Sequence, residues 1–173
     1  MSCITTKLKS NSNTDEYYTP KYVVEHLLEY IEPGSTIWCP FDTVDSEFVK
    51  VFDDAGLNVI YTHIDNGKDF FKTSIPSCDY IISNPPFSKK DKVLERLYSL
   101  NKPFAMLLPV ASIQSKFRVN LFMKYDLELL IFDKRISYFT SKNKEPQKGC
   151  AFGSGFFCYK FLPEKLIFKK LEE

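Results

Sequence analysis

Short apolar runs alternate along this chain with amphipathic segments of helix length, and that alternation restricts it to an α/β sheet of mostly parallel strands covered by helices. A first helix is expected from Lys21 to Ile31, opened by Thr19-Pro20, with Val23, Val24, Leu27, Leu28 and Ile31 on one face. Glu32-Pro33-Gly34 stops it. Thr36 to Cys39 reads as a strand running into Pro40-Phe41-Asp42. Asp45 or Ser46 can cap a second helix that buries Phe48, Val49 and Phe52 and ends at Gly56. Asn58 to Ile64 and Asp79 to Ser83 are the next strands, separated by a turn-rich stretch that contains Gly67-Lys68-Asp69-Phe70. A helix from Ser88 to about Leu100, a strand from Phe104 to Leu108 and a helix from Ser112 to Tyr125 follow.

The end of the chain differs. Leu127 to Asp133 and Gly155 to Phe161 read as strands joined by a polar, lysine-rich loop without helical periodicity, which suggests an antiparallel pair at the sheet edge. With 173 residues the chain can bury one proper core but not two, so residues 1–173 are expected to form a single domain, with 1–14 as a flexible N-terminal segment.

Composition excludes several classes. The longest apolar run, Phe104 to Ala111, is broken by Pro109 and is too short to span a bilayer. No secretory pattern precedes Lys9, so the cytoplasm is the expected location. Five cysteines at 3, 39, 78, 150 and 158 include no Cys-x-x-Cys pair, which argues for free thiols and against a structural zinc site. His26 and His63 have no second ligand at metal-binding spacing, so no metal is expected. A net charge of +1 leaves nucleic-acid binding to local patches. Lys89, Lys90 and Lys92 form one, and Lys134, Arg135, Lys142, Lys144 and Lys148 another; each alone reads equally well as a solvated face.

In an open α/β sheet, ligands bind beyond the carboxyl ends of the strands. The most unusual turn there is Asn84-Pro85-Pro86-Phe87, directly after Tyr80-Ile81-Ile82-Ser83. Two prolines fix the backbone and remove donors, leaving carbonyls free to accept. An amide oxygen, a fixed carbonyl and an aromatic face suit a planar base with an exocyclic amino group: two acceptors hold the amino hydrogens while the ring stacks. Alone, the four residues could be a rigid turn. No serine or cysteine stands in a motif that argues for a nucleophile.

With this motif the chain resembles the S-adenosylmethionine-dependent amino-methyltransferases, and in particular the small phage and bacterial DNA N6-adenine methyltransferases, from about Tyr17 to about Phe161. The resemblance implies a Rossmann-like methyltransferase fold with an antiparallel terminal hairpin. It implies catalytic roles for Asn84, Pro85, Pro86 and Phe87. Tyr18-Thr19-Pro20 is similar to the element beside the methionine part of the cofactor, Pro40-Phe41-Asp42 stands in the place of the first cofactor loop, and Asp69-Phe70 in that of the loop near its adenine. The tail, with Lys134-Arg135, Phe139 and Gly153-Ser154-Gly155-Phe156, is similar to the family's terminal hairpin, so Lys89, Lys134, Arg135, Phe139, Lys142, Lys144 and Lys148 are the expected substrate contacts.

Two departures from the pattern carry weight. The family's first loop has a Gly-x-Gly-like turn, yet no glycine lies between Gly34 and Gly56 here, and Phe41 and Asp42 stand in its place. At the end of the second strand, where an acidic residue holds the ribose hydroxyls, stands His63, with Asp65 two residues on. The leading expectation is methyl transfer from S-adenosylmethionine to N6 of adenine in DNA. The alternatives are a methyltransferase-like binding module without turnover, and methylation of another amino group, such as guanine N2 in RNA or a protein glutamine.

Overall fold

The computed structural model describes residues 17–140 and 152–172. Residues 1–14 and the loop lysines 142, 144 and 148 lie outside the described residues. In chain order the elements are β1 (Tyr17–Tyr18), α1 (Lys21–Glu25), β2 (Thr36–Cys39), α2 (Glu47–Asp54), β3 (Asn58–Tyr61), β4 (Tyr80–Ser83), α3 (Lys90–Leu100), β5 (Phe104–Pro109), α4 (Lys116–Tyr125), β6 (Glu128–Phe132), β7 (Phe139–Thr140), β8 (Ser154–Tyr159) and β9 (Leu166–Lys169).

Seven strands form one sheet in the order β3-β2-β4-β5-β8-β6-β9. β3, β2, β4 and β5 are mutually parallel, β8 runs against both β5 and β6, and β9 returns parallel to β6. Two apolar cores flank the sheet. One joins Val23, Val24 and Leu27 of the α1 region and Phe48, Val49 and Phe52 of α2 to Ile37, Ile82, Leu107 and Phe156. The other joins Val93, Leu94 and Leu97 of α3 to Trp38, Ile81, Met106 and Phe157, with Leu121 and Phe122 of α4 against it. Successive strand residues point to opposite faces, so Ile81 and Ile82 serve different cores.

The expected antiparallel pair exists as β6 and β8, but not at the edge. All six residues of β8 are buried, because the strand is inserted between β5 and β6, and β9 forms the outer boundary. Gly155 permits this closeness: a Cβ there would stand 2.8 Å from the Leu130 carbonyl oxygen and 2.7 Å from Ile131 Cδ1.

Three helices differ from expectation at one end, each where a 3₁₀ turn takes over. α1 ends at Glu25, and Leu28–Tyr30 continues as a 3₁₀ turn with i−3 bonds such as Tyr30 N–H to Leu27 O at 3.0 Å. Val23, Val24, Leu27 and Ile31 stay buried and Leu28 packs half-buried against them, so periodicity alone does not separate the two geometries. Phe87–Lys89 and Val110–Ile113 are likewise 3₁₀ turns ahead of α3 and α4. The cap of α4 is Ser115, whose Oγ accepts from Arg118 N–H at 3.1 Å. Arg118 donates to the Ser112 carbonyl at 2.5 Å and pairs with Asp91 of α3, which holds the turn after β5 in place. β3 stops at Tyr61, short of the expected Ile64, because His63 Nδ1 accepts the Asp65 N–H and bends the chain into a 3₁₀ turn.

Candidate functional site at the sheet switch point

From β2 the chain moves to one side to build β3, then returns to the other side to build β4. The carboxyl ends of β2 and β4 therefore flank a topological switch point, where open α/β sheets bind their ligands. The turns leaving these strands are Pro40-Phe41-Asp42 and Asn84-Pro85-Pro86-Phe87.

A hydrogen-bonded carboxyl joins the two turns. Asp42 is 7% exposed; Oδ1 accepts from Ser46 Oγ at 2.5 Å, and Oδ2 accepts from Ser83 Oγ. Burial drives its pKa up to about 6, against the two hydroxyl bonds and the neighbouring His63, which act in the opposite direction. The Asp42 backbone N–H donates to Thr62 O at 3.2 Å, and Trp38 Nε1 donates to Thr62 Oγ1 at 3.0 Å, so this turn is tied to the segment after β3.

Asn84 is fixed in another way. Its Nδ2 donates to Tyr17 O at 2.9 Å and to Thr19 Oγ1 at 3.2 Å. A main-chain carbonyl can only accept, which settles the amide orientation and turns Oδ1 the other way. Oδ1 is buried and has no hydrogen-bond partner among the described residues. Pro85 is buried and contributes no N–H, so rigid backbone and an unused acceptor stand side by side.

The face of Phe87 is not open. Tyr17 stacks on it with ring centroids 5.7 Å apart and an interplanar angle of 19°, and Phe152 meets it edge-on at 5.6 Å. Tyr17 and Phe152 also touch each other at 5.6 Å. Neither ring was among the expected site residues. Tyr17 directly precedes the Tyr18-Thr19-Pro20 element, but its role depends on β1 pairing with β7, which local sequence does not announce.

The other expected residues separate by environment. Thr19 is buried against Asn84, Pro20 is buried just ahead of α1, and Tyr18 is 51% exposed opposite Phe139 in the β1–β7 pair. Pro40 is buried. Phe70 is core: it is 2% exposed, packed by Trp38 and by Phe41 at 4.8 Å, with the Arg96 guanidinium over its ring, so it offers no open wall to a ligand. Asp69 Oδ1 accepts the Phe71 N–H at 3.0 Å. Asp65 is exposed beside His63, with Oδ2 3.2 Å from Nδ1. Lys89, Lys134 and Arg135 are exposed, and Phe139 is half-buried. An open depression of about 650 Å³ lies beyond β3, lined by Ile64, Gly67, Lys68, Asp69, Lys72, Thr73 and Ser74. Its size suits a small molecule, but the Asn84 turn does not line it.

Among the described residues no group of three or more His, Cys, Asp or Glu side chains could hold a metal ion, and no helix is long and apolar enough to cross a membrane. Cys39, Cys78 and Cys158 are buried free thiols.

No family model and no curated protein matches the chain. Solved structures do. A type I restriction-modification system methyltransferase subunit from Streptococcus thermophilus aligns over 90% of this chain and 47% of its own length, with a TM-score of 0.51 and 11% identity. A predicted O-methyltransferase from Agrobacterium tumefaciens aligns over 87% of this chain and 84% of its own, with a TM-score of 0.52 and 7% identity. The chain thus spans about half of the first structure and most of the second, and what it shares with them is the Rossmann-like methyltransferase fold.

Proposed function

We propose that this protein transfers a methyl group from S-adenosylmethionine to an exocyclic amino group, N6 of adenine in DNA. The observation that carries the reading is the buried Oδ1 of Asn84 at the switch point, unpartnered among the described residues. A buried acceptor without a partner costs about 1–3 kcal/mol, and an amino hydrogen would remove that cost. The two methyltransferases of like fold, one of them from a restriction-modification system, support the same direction.

The residues present fit the methionine end of the cofactor better than its ribose end. Asp42 sets a buried carboxyl at the switch point, and each of its oxygens keeps accepting capacity beyond one serine bond. With the Thr19 hydroxyl it could receive an ammonium group. Asp65, His63 and the depression beside Asp69 would take the ribose and adenine, and the exposure of Asp65 and the openness of the depression make that end the weaker grip. The bound cofactor supplies a methyl group made electrophilic by its sulfonium.

The chain's own task is to place one nitrogen in line with that methyl. Asn84 Oδ1 and the Pro85 carbonyl would accept the amino hydrogens and stabilise positive charge as it grows on nitrogen. Phe87 would stack on the ring once Tyr17 moves aside, and in a duplex the base must first be flipped out. Lys89, Lys134, Arg135 and Phe139, with Lys142, Lys144 and Lys148, would bind the nucleic acid. A net charge of +1 implies that few phosphates are neutralised.

A second reading, a binding module without turnover, is favoured by one observation: Asp42, Asp69 and His63 already bond within the chain. Titration calorimetry with S-adenosylmethionine and S-adenosylhomocysteine decides between them. Methyl transfer requires heat of binding at millimolar ligand. Its absence for both compounds would leave the binding module.

A further inference from the structure

A buried hydrogen bond crosses the crevice between the two turns. β2 and β4 pair only as far as Trp38 and Ile81, whereas β2 stays paired with β3 to Cys39 and β4 with β5 to Ser83. The ends of β2 and β4 therefore part just where the site opens. Beyond that point Ser83 Oγ, on the β4 side, donates to Asp42 Oδ2, on the β2 side. Ser83 is 0% exposed and Asp42 7%, so the bond is shielded from water. The other carboxylate oxygen accepts from Ser46, the cap of α2, which fixes the group from the β2 wall as well. Ser83 directly precedes Asn84, whose amide is anchored to Tyr17 and Thr19. A shift of Asp42 toward a ligand is thus passed through one hydroxyl to the backbone that carries Asn84.

We infer that Ser83 is a positioning residue that couples the two halves of the site: by holding the Asp42 carboxylate across the crevice, it makes a cationic group bound at Asp42 and an amino group held by Asn84 favour each other. The inference rests on the proposed methyl transfer and adds a regulation of its site, in which occupancy of one half prepares the other. Whichever ligand arrives first fixes the width of the crevice, and the second no longer has to. The effect is reciprocal, because a coupling free energy belongs to both ligands. Ser46 is the internal comparison, since it donates to the same carboxylate without crossing the crevice.

The test is calorimetry of S-adenosylhomocysteine binding, with and without a saturating single-stranded oligonucleotide that contains adenine. In wild type the oligonucleotide should tighten binding by about fivefold, the lower end of ordinary coupling between sites. Ser83→Ala should abolish that factor, and Ser83→Thr, which keeps the hydroxyl, should retain it. Ser46→Ala should weaken binding and keep the factor. The pH profile adds a readout that packing alone does not move. A donated hydroxyl favours the ionised carboxyl, so its loss in Ser83→Ala should shift the acid-side fall in affinity to higher pH. His63 and Cys39, the other titratable groups beside Asp42, are the same in both proteins. A Ser83→Ala protein that keeps the full factor, or the wild-type pH profile, overturns the inference. So does a folded Ser83→Thr protein without coupling, or a loss of the factor in Ser46→Ala as well. If wild type binds both ligands independently, only the coupling fails; if it binds no S-adenosylhomocysteine, the methyl-transfer reading fails with it.

Discussion

The two halves of the switch-point site use their polar groups in opposite ways. On the β4 side, Asn84 commits its amide hydrogens to Tyr17 and Thr19 and keeps an acceptor unused, while Pro85 has no N–H to offer. On the β2 and β3 side, three of the four expected cofactor groups with a polar side chain are already engaged, Asp42 by two serines, His63 by the Asp65 N–H and Asp69 by the Phe71 N–H, and the fourth, Asp65, is exposed. One half is organised to receive a guest, and the other must give up or share internal bonds to do so. If the proposed reading is right, the comparison means that recognition of the amino group is prebuilt, whereas the grip on the cofactor would be the term that limits function.

The sharpest way to break this comparison is at Asn84. Asn84→Ala should lower methyl transfer by at least about a hundredfold, as when a preorganised transition-state hydrogen bond is deleted. The same change removes two bonds to the segment 17–19, so about 1–2 kcal/mol of stability should go with it. Chemical denaturation separates the two effects; a variant destabilised to this degree but fully active would contradict the assignment.

Asp42 tests the other half through pH. Its folded pKa of about 6 exceeds the ordinary 3.8, so the folded state holds the proton more tightly than the unfolded chain does. Its contribution to stability is therefore fully present below about pH 4 and is lost as pH rises through about 6, a change on the order of 3 kcal/mol. Asp42→Asn should flatten this part of the stability profile, measured by denaturant titration between about pH 4 and 7. An unchanged profile would mean that the carboxyl is not the group responsible.

How much of this could be read from the chain depends on the range of the interactions. Thr36–Cys39, the strand read as Phe104 to Leu108 and found to run to Pro109, and a cap at Asp45 or Ser46, which is Ser46, were legible because local pattern and tertiary burial agree there. β9 was missed: Leu166–Lys169 is a four-residue edge strand with half its residues exposed, and only its pairing with β6 defines it. The Asn84 motif was legible because prolines and a preceding apolar strand leave a local mark. Tyr17 and Phe152 were not expected at the site, since the β1–β7 pair and the chain entering β8 bring them there from distant parts of the sequence. Phe70 shows the reverse failure, because its position beside Asp69 suggested a ligand wall and its packing made it core.

Two smaller effects sharpen the account of the base pocket. Tyr17→Ala uncovers Phe87 while leaving the Tyr17 carbonyl to Asn84, and an aromatic pair is worth about 1 kcal/mol, so capture of a 2-aminopurine base should tighten by about fivefold. Fluorescence quenching of that base reads the change; weaker capture would make Tyr17 a wall of the pocket instead of its cover. The smallest effect is expected from replacing Lys142, Lys144 and Lys148 together by alanine. Binding should weaken equally for all sequences, and the slope of log affinity against log salt should flatten by about 0.9 for each phosphate that is no longer neutralised. An unchanged slope would remove that loop from the interface.

The central claim is tested most directly by mass spectrometry of nucleosides. DNA and RNA are incubated with the protein and S-adenosylmethionine carrying an isotope-labelled methyl group, then digested. The account predicts labelled N6-methyladenine from DNA with the wild-type protein and none with Asn84→Ala. Label on a different nucleoside, or no labelled nucleoside although the cofactor binds in calorimetry, would contradict it.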